Sequence, residues 1–527
     1  MTDVVIDGES LTPERVAAVA RRGATVRVPE TAREAVRTSR ERVEDVMATD
    51  EAVYGLNTGF GSLVNERIPA EKIQALQTNL LRSHASGAGR RLSTEEVRAM
   101  MVGRLNSLAK GYSGVRERVI DHLETMLNEG VHPVVRSRGS LGASGDLAPL
   151  AHMALVLIGE GSAIHDGDQV SGDVALELVS LEPLDLAPKE GLALINGTQL
   201  TTGLASLVVV DAKRILESAT IAGALTTEVT MSTTASCDAA IQAVRPHDGQ
   251  VATARRVKQL TANSEYVESH RNCDRVQDAY SIRCLPQVHG AVEDSIDHLY
   301  DAVETELNSA TDNPLVFRQD RVDSRASGGD AAAVISGGNF HGEPLALRLD
   351  YAVNALTELA TISERRTNRM LSPKLQESHL PPYLTEESGV ESGFMIAQYT
   401  AAALLNEMRS LGSPSTDNTP VSGGQEDHVS MSGQSAYHAR TAITNVATIV
   451  GIELLVANRA AEFVSDSYRH GDGTGPARES IASAVSAWDG DRPLDEDIEI
   501  LSELVRRGAI LQHVAERMDG DLHGCED

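Results

Sequence analysis

Residues 288–307 read VHGAVEDSIDHLYDAVETEL, and Val288, Val292, Ile296, Leu299, Tyr300, Val303 and Leu307 fall on one stripe at intervals of three and four. That spacing predicts an amphipathic helix with one apolar face. Thr311-Asp312-Asn313-Pro314 ends it, because the residue before a proline is pushed out of the helical region. Patterns of the same kind run from Leu204 to Met231, Leu345 to Met370, Phe394 to Leu411 and Ala436 to Val464. Such lengths predict an all-α fold built as a bundle of long antiparallel helices. Strand signals are few: TVRVP near Thr25 and PLVF at Pro314. No repeat occurs at solenoid periods.

Between the helices stand loops at 53–64, 371–390, 412–426 and 470–476, where functional groups are expected to sit. No break is rich enough in Pro, Gly or Ser to act as a flexible linker, so one continuous helical body is expected. Its parts are an N-terminal region at 1–200, a central bundle at 201–470 and a C-terminal helical segment at 471–527.

Only 3% of the 527 residues are aromatic, so Leu, Val, Ile and Ala must fill the core. A formal charge of −29 disfavours a nucleic-acid backbone or an anionic membrane surface as partner. Six of the 47 basic residues are lysine and the rest arginine; this bias fits either a protein kept soluble in high salt or a genome favouring Arg codons. Cys237, Cys273, Cys284 and Cys525 lie far apart without a CxxC pair, which predicts neither a disulfide framework nor a zinc ribbon and makes reduced cytoplasm the default. The N-terminus lacks a basic region followed by an apolar run, and no uninterrupted apolar stretch of about 18 residues occurs, so neither export nor a membrane span is expected.

Residues 139–150, GSLGASGDLAPL, admit three readings. The first is a tight loop entering a helix: Asp146 caps, Pro149 suits the first turn, and Leu147, Leu150, Ala151, Ala154, Leu155 and Ile158 recur at helical spacing. The second is an anion cradle, although no Lys follows and neither GxGxxG nor GxxxxGK[ST] is present. The third is backbone chemistry. Gly145 nitrogen can attack the Ala143 carbonyl if the turn brings them together; loss of two waters, one from cyclisation and one from Ser144, leaves a conjugated methylidene-imidazolone. A nucleophilic hydroxyl thereby becomes an electrophile.

Other segments bear on that choice. Together with GSLGASGDLAPLAHMAL, the stretches YGLNTGFG (54–61), NLLRSHASGAG (79–89), GLALINGTQ (191–199), QDAYSIRCLPQVHG (277–290), SGGNFHGEP (336–344), SGFMIAQ (392–398) and QEDHVSM (425–431) resemble the aromatic amino acid ammonia-lyase family in order, over roughly residues 50–470. The resemblance is strongest to its histidine-specific members. It implies a fumarase/aspartase-like helix bundle with a smaller, mixed N-terminal part. The implied activity is non-oxidative elimination of ammonia from L-histidine to trans-urocanate, by a 4-methylidene-imidazol-5-one formed autocatalytically from Ala143-Ser144-Gly145, with no external cofactor. It also implies a cytoplasmic homotetramer whose sites draw on more than one subunit.

Ammonia is a poor leaving group and the β-hydrogen of an amino acid is barely acidic, so the elimination needs an electron sink and a base. By the resemblance Tyr54 is the general base, and its phenol, near ~10 when unperturbed, must be lowered to act at neutrality. Arg283 would clamp the substrate carboxylate with its planar fork. Tyr280, Asn196 and Gln277 would hold the prosthetic group, its developing charge or the amino group, and Phe340 would cover the site. His84, Met395 and Glu426 would contact the imidazole ring; a buried polar site that bonds a ring nitrogen rejects rings lacking it. Each has a plainer reading alone: a buried tyrosine for Tyr54, a surface charge for Arg283, an Asn-Gly turn for Asn196, core for Phe340 and Met395, a satisfied loop histidine for His84, and a capping pair for Glu426 with Asp427. Two departures stand out: a glycine-rich TPVSGGQED before Glu426, and Ala279 where proline is usual. His152, His289, His341 and His428 share no HExxH or paired spacing, so no metal site is predicted.

Within the family, a tyrosine or phenylalanine lyase or an aminomutase is the nearest alternative activity. From another class, a noncatalytic helical binding protein with an unmatured tripeptide is the alternative.

Overall fold

A computed structural model describes residues 3–48, 53, 55–56, 58, 68–271, 275–323, 333–375, 377–464 and 468–518. Tyr54, Cys273 and Cys525 lie outside the described residues. The described chain forms twenty α-helices and a few short strands. The predicted long helices appear as Gln199–Val229, Leu285–Leu307, Glu343–Leu371, Met395–Arg409 and Ser432–Ala461. Both strand signals hold as well: Val4–Val5 pairs in parallel with Val26–Arg27, and Leu315–Phe317 pairs with Ala333–Ile335. Two further small antiparallel sheets join Ala88–Arg91 to Arg136–Arg138, and His132–Pro133 to Ser162–His165 and Asp168–Ser171.

The described residues fall into two compact units. One comprises 1–210, 299–350 and 413–437; the other comprises 211–298, 351–412 and 438–527. All of the short strands belong to the first.

Hydroxyl residues explain how a helix of mixed composition is buried. Along Gln199–Val229, Thr202, Ser206, Ser218, Thr220 and Thr227 donate to the carbonyl four residues back, which satisfies each hydroxyl locally, and Thr230 just beyond the helix does the same. In Ser432–Ala461, 83% of the most apolar window is buried.

The second unit is pinned by a buried ion pair. Arg366 Nε and Nη2 donate to the Glu453 carboxylate at 2.5 and 2.8 Å, and neither side chain is exposed. Thr226 and Ser363 donate to the same carboxylate. His289 stands between Thr220 and Arg366, and burial together with the Arg366 charge holds it well below the ordinary imidazole range, so it is neutral. Removing one partner of such a pair strands a buried charge. Glu453→Ala is therefore expected to destabilise the fold by about 3–5 kcal/mol in urea melts, and the double replacement Arg366→Met with Glu453→Leu by clearly less than that single change.

Candidate active site

The tripeptide is placed by contacts between backbones. Gly145 has φ +75, and a β-carbon there would lie 2.1 Å from Gly197 O, so only glycine fits. Asp146 N donates to Gly197 O at 2.7 Å. Gly142 is confined similarly: its β-carbon would meet Ser430 Oγ at 2.1 Å. Its carbonyl accepts from Gly342 N and Ser430 Oγ, while Met431 N donates to Leu141 O. Three stretches far apart in sequence, at Gly197, Gly342 and Ser430–Met431, thus converge on residues 141–146.

Asp146 does not cap the Leu147–Leu157 helix through its side chain, contrary to the sequence expectation. Its carboxylate instead accepts from Thr201 N, Thr201 Oγ1 and Ser140 Oγ, tying the loop to the start of Gln199–Val229. Burial pushes its pKa up against those donors. Nearby Glu306, half-buried, accepts from Thr198 Oγ1 at 2.5 Å. Burial, with a smaller contribution from Asp146, pushes the Glu306 carboxyl up to about 7.

Ser144 Oγ donates to Glu426 Oε1 at 2.7 Å, and Asn196 Nδ2 donates to Ser144 O at 2.8 Å. Asn196 Oδ1 is buried without a partner among the described residues. Ala143, Ser144, Asn196, Phe340 and Glu426 line one cavity of about 500 Å³. His84 ends the Ile73–His84 helix, its Nδ1 2.9 Å from Leu80 O. Burial lowers its pKa, while the Glu426 charge acts in the opposite sense.

Gln277, Tyr280 and Arg283 line a second cavity, of about 550 Å³, in the other unit. Arg283 lies over the Tyr280 ring at 4.6 Å from its centroid, and Tyr280 is 71% exposed. Met395 begins the Met395–Arg409 helix in that unit and lines neither cavity. Its neighbour Phe394 packs on Trp488.

Sequence reading gives three residues of the first cavity no place in it: Asn313, and His341 and His428, which it weighs only as metal ligands. Asn313, read as part of a helix stop, donates to Ser336 Oγ and accepts from Gly337 N at the cavity wall. His341 and His428 stack at 5.7 Å, with rings parallel to within 4°. Their placement inside NFHG and QEDHVS, beside Phe340 and Glu426, was the available signal. Among the described residues no group of His, Cys, Asp and Glu is arranged to hold a metal.

A helical body carrying a glycine-enclosed Ala-Ser-Gly loop with a carboxylate on its serine defines a class, and residues 11–485 match the aromatic amino acid lyase family model. The chain belongs to that family. It is 62% identical over 519 residues to a Halobacterium salinarum protein named "probable histidine ammonia-lyase", covering 98% of this chain and 99% of that one. Among solved structures it is similar to tyrosine aminomutase from Streptomyces globisporus (TM-score 0.92, 37% identity, 99% of this chain and 100% of that one). It is likewise similar to histidine ammonia-lyase from Trypanosoma cruzi (TM-score 0.88, 37% identity, 100% of this chain and 99% of that one).

Two measurements check this geometry. Gly145→Ala is expected to leave most helices intact by circular dichroism while lowering stability by at least about 2 kcal/mol, because its methyl group must displace backbone. Glu306 has a folded pKa above its unfolded value, so the stability it contributes is full below about 4.5 and is lost as pH rises through about 7. Glu306→Gln should abolish that loss, making the variant gain about 3 kcal/mol on the parent between about pH 5 and about pH 8 in urea melts.

Proposed function

We propose that this protein is a carbon–nitrogen lyase that eliminates ammonia from L-histidine to give trans-urocanate. The observation that carries this reading is the Glu426 carboxylate seated on Ser144 of the Ala143-Ser144-Gly145 loop. By the resemblance Glu426 belongs to the histidine-specific pattern, and its bond to the hydroxyl that would be lost from Ser144 supports a ring-recognising role beside the electrophilic carbon. The names of the relatives support the same substrate.

The loop fits the prosthetic group on its own chemistry. Gly145 offers an unhindered amide nitrogen in a turn that no side chain fits, and Asn196 Nδ2 already donates to Ser144 O, an oxygen the ring would retain. Matured from these residues, a methylidene-imidazolone would supply an electron-poor alkene able to make the substrate amine a leaving group. The chain's other residues bind and move protons. Asn196 holds a donor where negative charge would develop. Dehydration of Ser144 would free Glu426 to accept from an imidazole N–H, with His84 within its field. Arg283 would clamp the carboxylate, with Tyr280 and Gln277 beside it, and Tyr54 would take the β-proton. Phe340 would cover the ring and Met395 contact it. We infer a cytoplasmic homotetramer in which loops of more than one subunit complete each site, with no external cofactor, nucleic acid or membrane involved.

The test is intact mass together with turnover. The purified chain should weigh two waters less than its sequence and should convert histidine, but neither tyrosine nor phenylalanine, without forming a β-amino acid. Ser144→Ala should remain folded and lose activity by more than about a hundredfold; near-parental turnover overturns the assignment. Glu426→Gln should slow histidine by at least about tenfold, and an unchanged rate removes Glu426 from the ring site.

A further inference from the structure

A buried charge behind the tripeptide has no part in the chemistry above. Arg104, on the Thr94–Ala109 helix, is fully buried. Its Nη1 donates to Gln199 Oε1 at 2.7 Å, whereas Nε and Nη2 find no acceptor among the described residues. The carboxylate that acts on it is Asp312. That carboxylate is held by Lys189 Nζ at 2.5 Å, and it also accepts from Asn313 N. Two cations share this carboxylate and Lys189 is the one bonded to it, so the Arg104 guanidinium is left without a carboxylate of its own. Burial lowers both cations, Lys189 below its ordinary value and Arg104 to about 10, which leaves the guanidinium protonated at neutral pH.

The guanidinium rests on Gly197. A β-carbon at Gly197 would lie 2.6 Å from Arg104 Nη1, 2.5 Å from Gln199 Oε1 and 3.0 Å from Thr311 Oγ1. Gly197 in turn forms a parallel bridge with Gly145. One layer of backbone therefore separates the surplus charge from the tripeptide. A buried guanidinium without its own carboxylate lowers stability, so stability does not account for it.

We propose that Arg104 is a positioning residue for ring closure, its surplus charge acting through Gly197 to stabilise the negative charge that develops on the tripeptide. This rests on reading Ala143-Ser144-Gly145 as the precursor. In the closure, Gly145 N bonds to the Ala143 carbonyl carbon. The displaced electron pair moves to the carbonyl oxygen, which leaves as the first water with the hydrogens of Gly145 N and Ser144 N. Ser144 Oγ leaves with the Cα hydrogen as the second. Fixed positive charge favours the oxyanion of the first step.

The experiment uses full-length parent, Gln199→Glu and Arg104→Met chains, checked by circular dichroism and gel filtration and followed by intact mass from synthesis onward. Gln199→Glu sets a carboxylate against Arg104, so it should raise the urea midpoint while slowing loss of the two waters by at least about tenfold. Arg104→Met should slow it similarly if it folds. A purely structural role predicts the same firmer fold for Gln199→Glu but undiminished dehydration, so the rate of water loss separates the two readings. A mature parent with a Gln199→Glu chain that folds and matures at the parental rate overturns the role of Arg104 alone, whatever Arg104→Met does. A parent that keeps both waters overturns the reading of the tripeptide, and this inference with it.

Discussion

The packing of Gly145 against Gly197 is the constraint on which the site depends. Two peptide groups meet with no side chain between them, closer than any β-carbon allows. The contact has to be made by glycine on one side and backed by something rigid on the other. Thr201, through Asp146, fixes the loop to the head of a 31-residue helix; Arg104, Gln199 and Thr311 fill the space behind Gly197. Long helices matter here less as bulk than as rails. Backbone groups near their ends hold the loop at fixed positions, joined by the short hydroxyl side chains of Ser140, Thr201 and Ser430.

Buried charge is distributed unevenly as a consequence. In the second unit Arg366 and Glu453 neutralise each other, and two hydroxyls occupy the remaining carboxylate lone pairs. Around the tripeptide, Asp146 and Glu306 are pushed toward neutrality by burial, and the Arg104, Lys189 and Asp312 group carries an excess cation. An arrangement selected for stability alone would resemble the first pattern. The second resembles a site tuned for chemistry, where perturbed groups cluster.

What the sequence disclosed followed physical periodicity. The stripe from Val288 to Leu307 is one face of a 3.6-residue repeat, and the helix found there begins only three residues earlier, at Leu285. The residues that the resemblance marks for chemistry were picked out through motif context. Ser144, Asn196, Phe340 and Glu426 do share one cavity, whereas Gln277, Tyr280 and Arg283 form a separate group in the other unit. Asn313 was hidden because Asp-Asn-Pro is a satisfactory helix stop whether or not its amide also lines a cavity. Arg104 was hidden because an arginine in a helix reads as surface charge, and nothing local reveals that Gln199 and Gly197 lie against it. The cap expected of Asp146 failed because Thr201, 55 positions away, competes for the same oxygens.

Under the proposed function, the Ser144–Glu426 hydrogen bond would link forming the electrophile to choosing the substrate. While the serine keeps its hydroxyl, one carboxylate oxygen of Glu426 is occupied. Removing that hydroxyl as water would create the alkene and unsatisfy the carboxylate in one event. A buried or half-buried carboxylate that has lost its donor requires another, and an imidazole N–H supplies one where a phenyl ring cannot. Selectivity for the side chain therefore need not be a separate feature laid over the chemistry. Under the proposed function it would follow from the same dehydration, because the group that holds the precursor serine would be left needing what histidine offers.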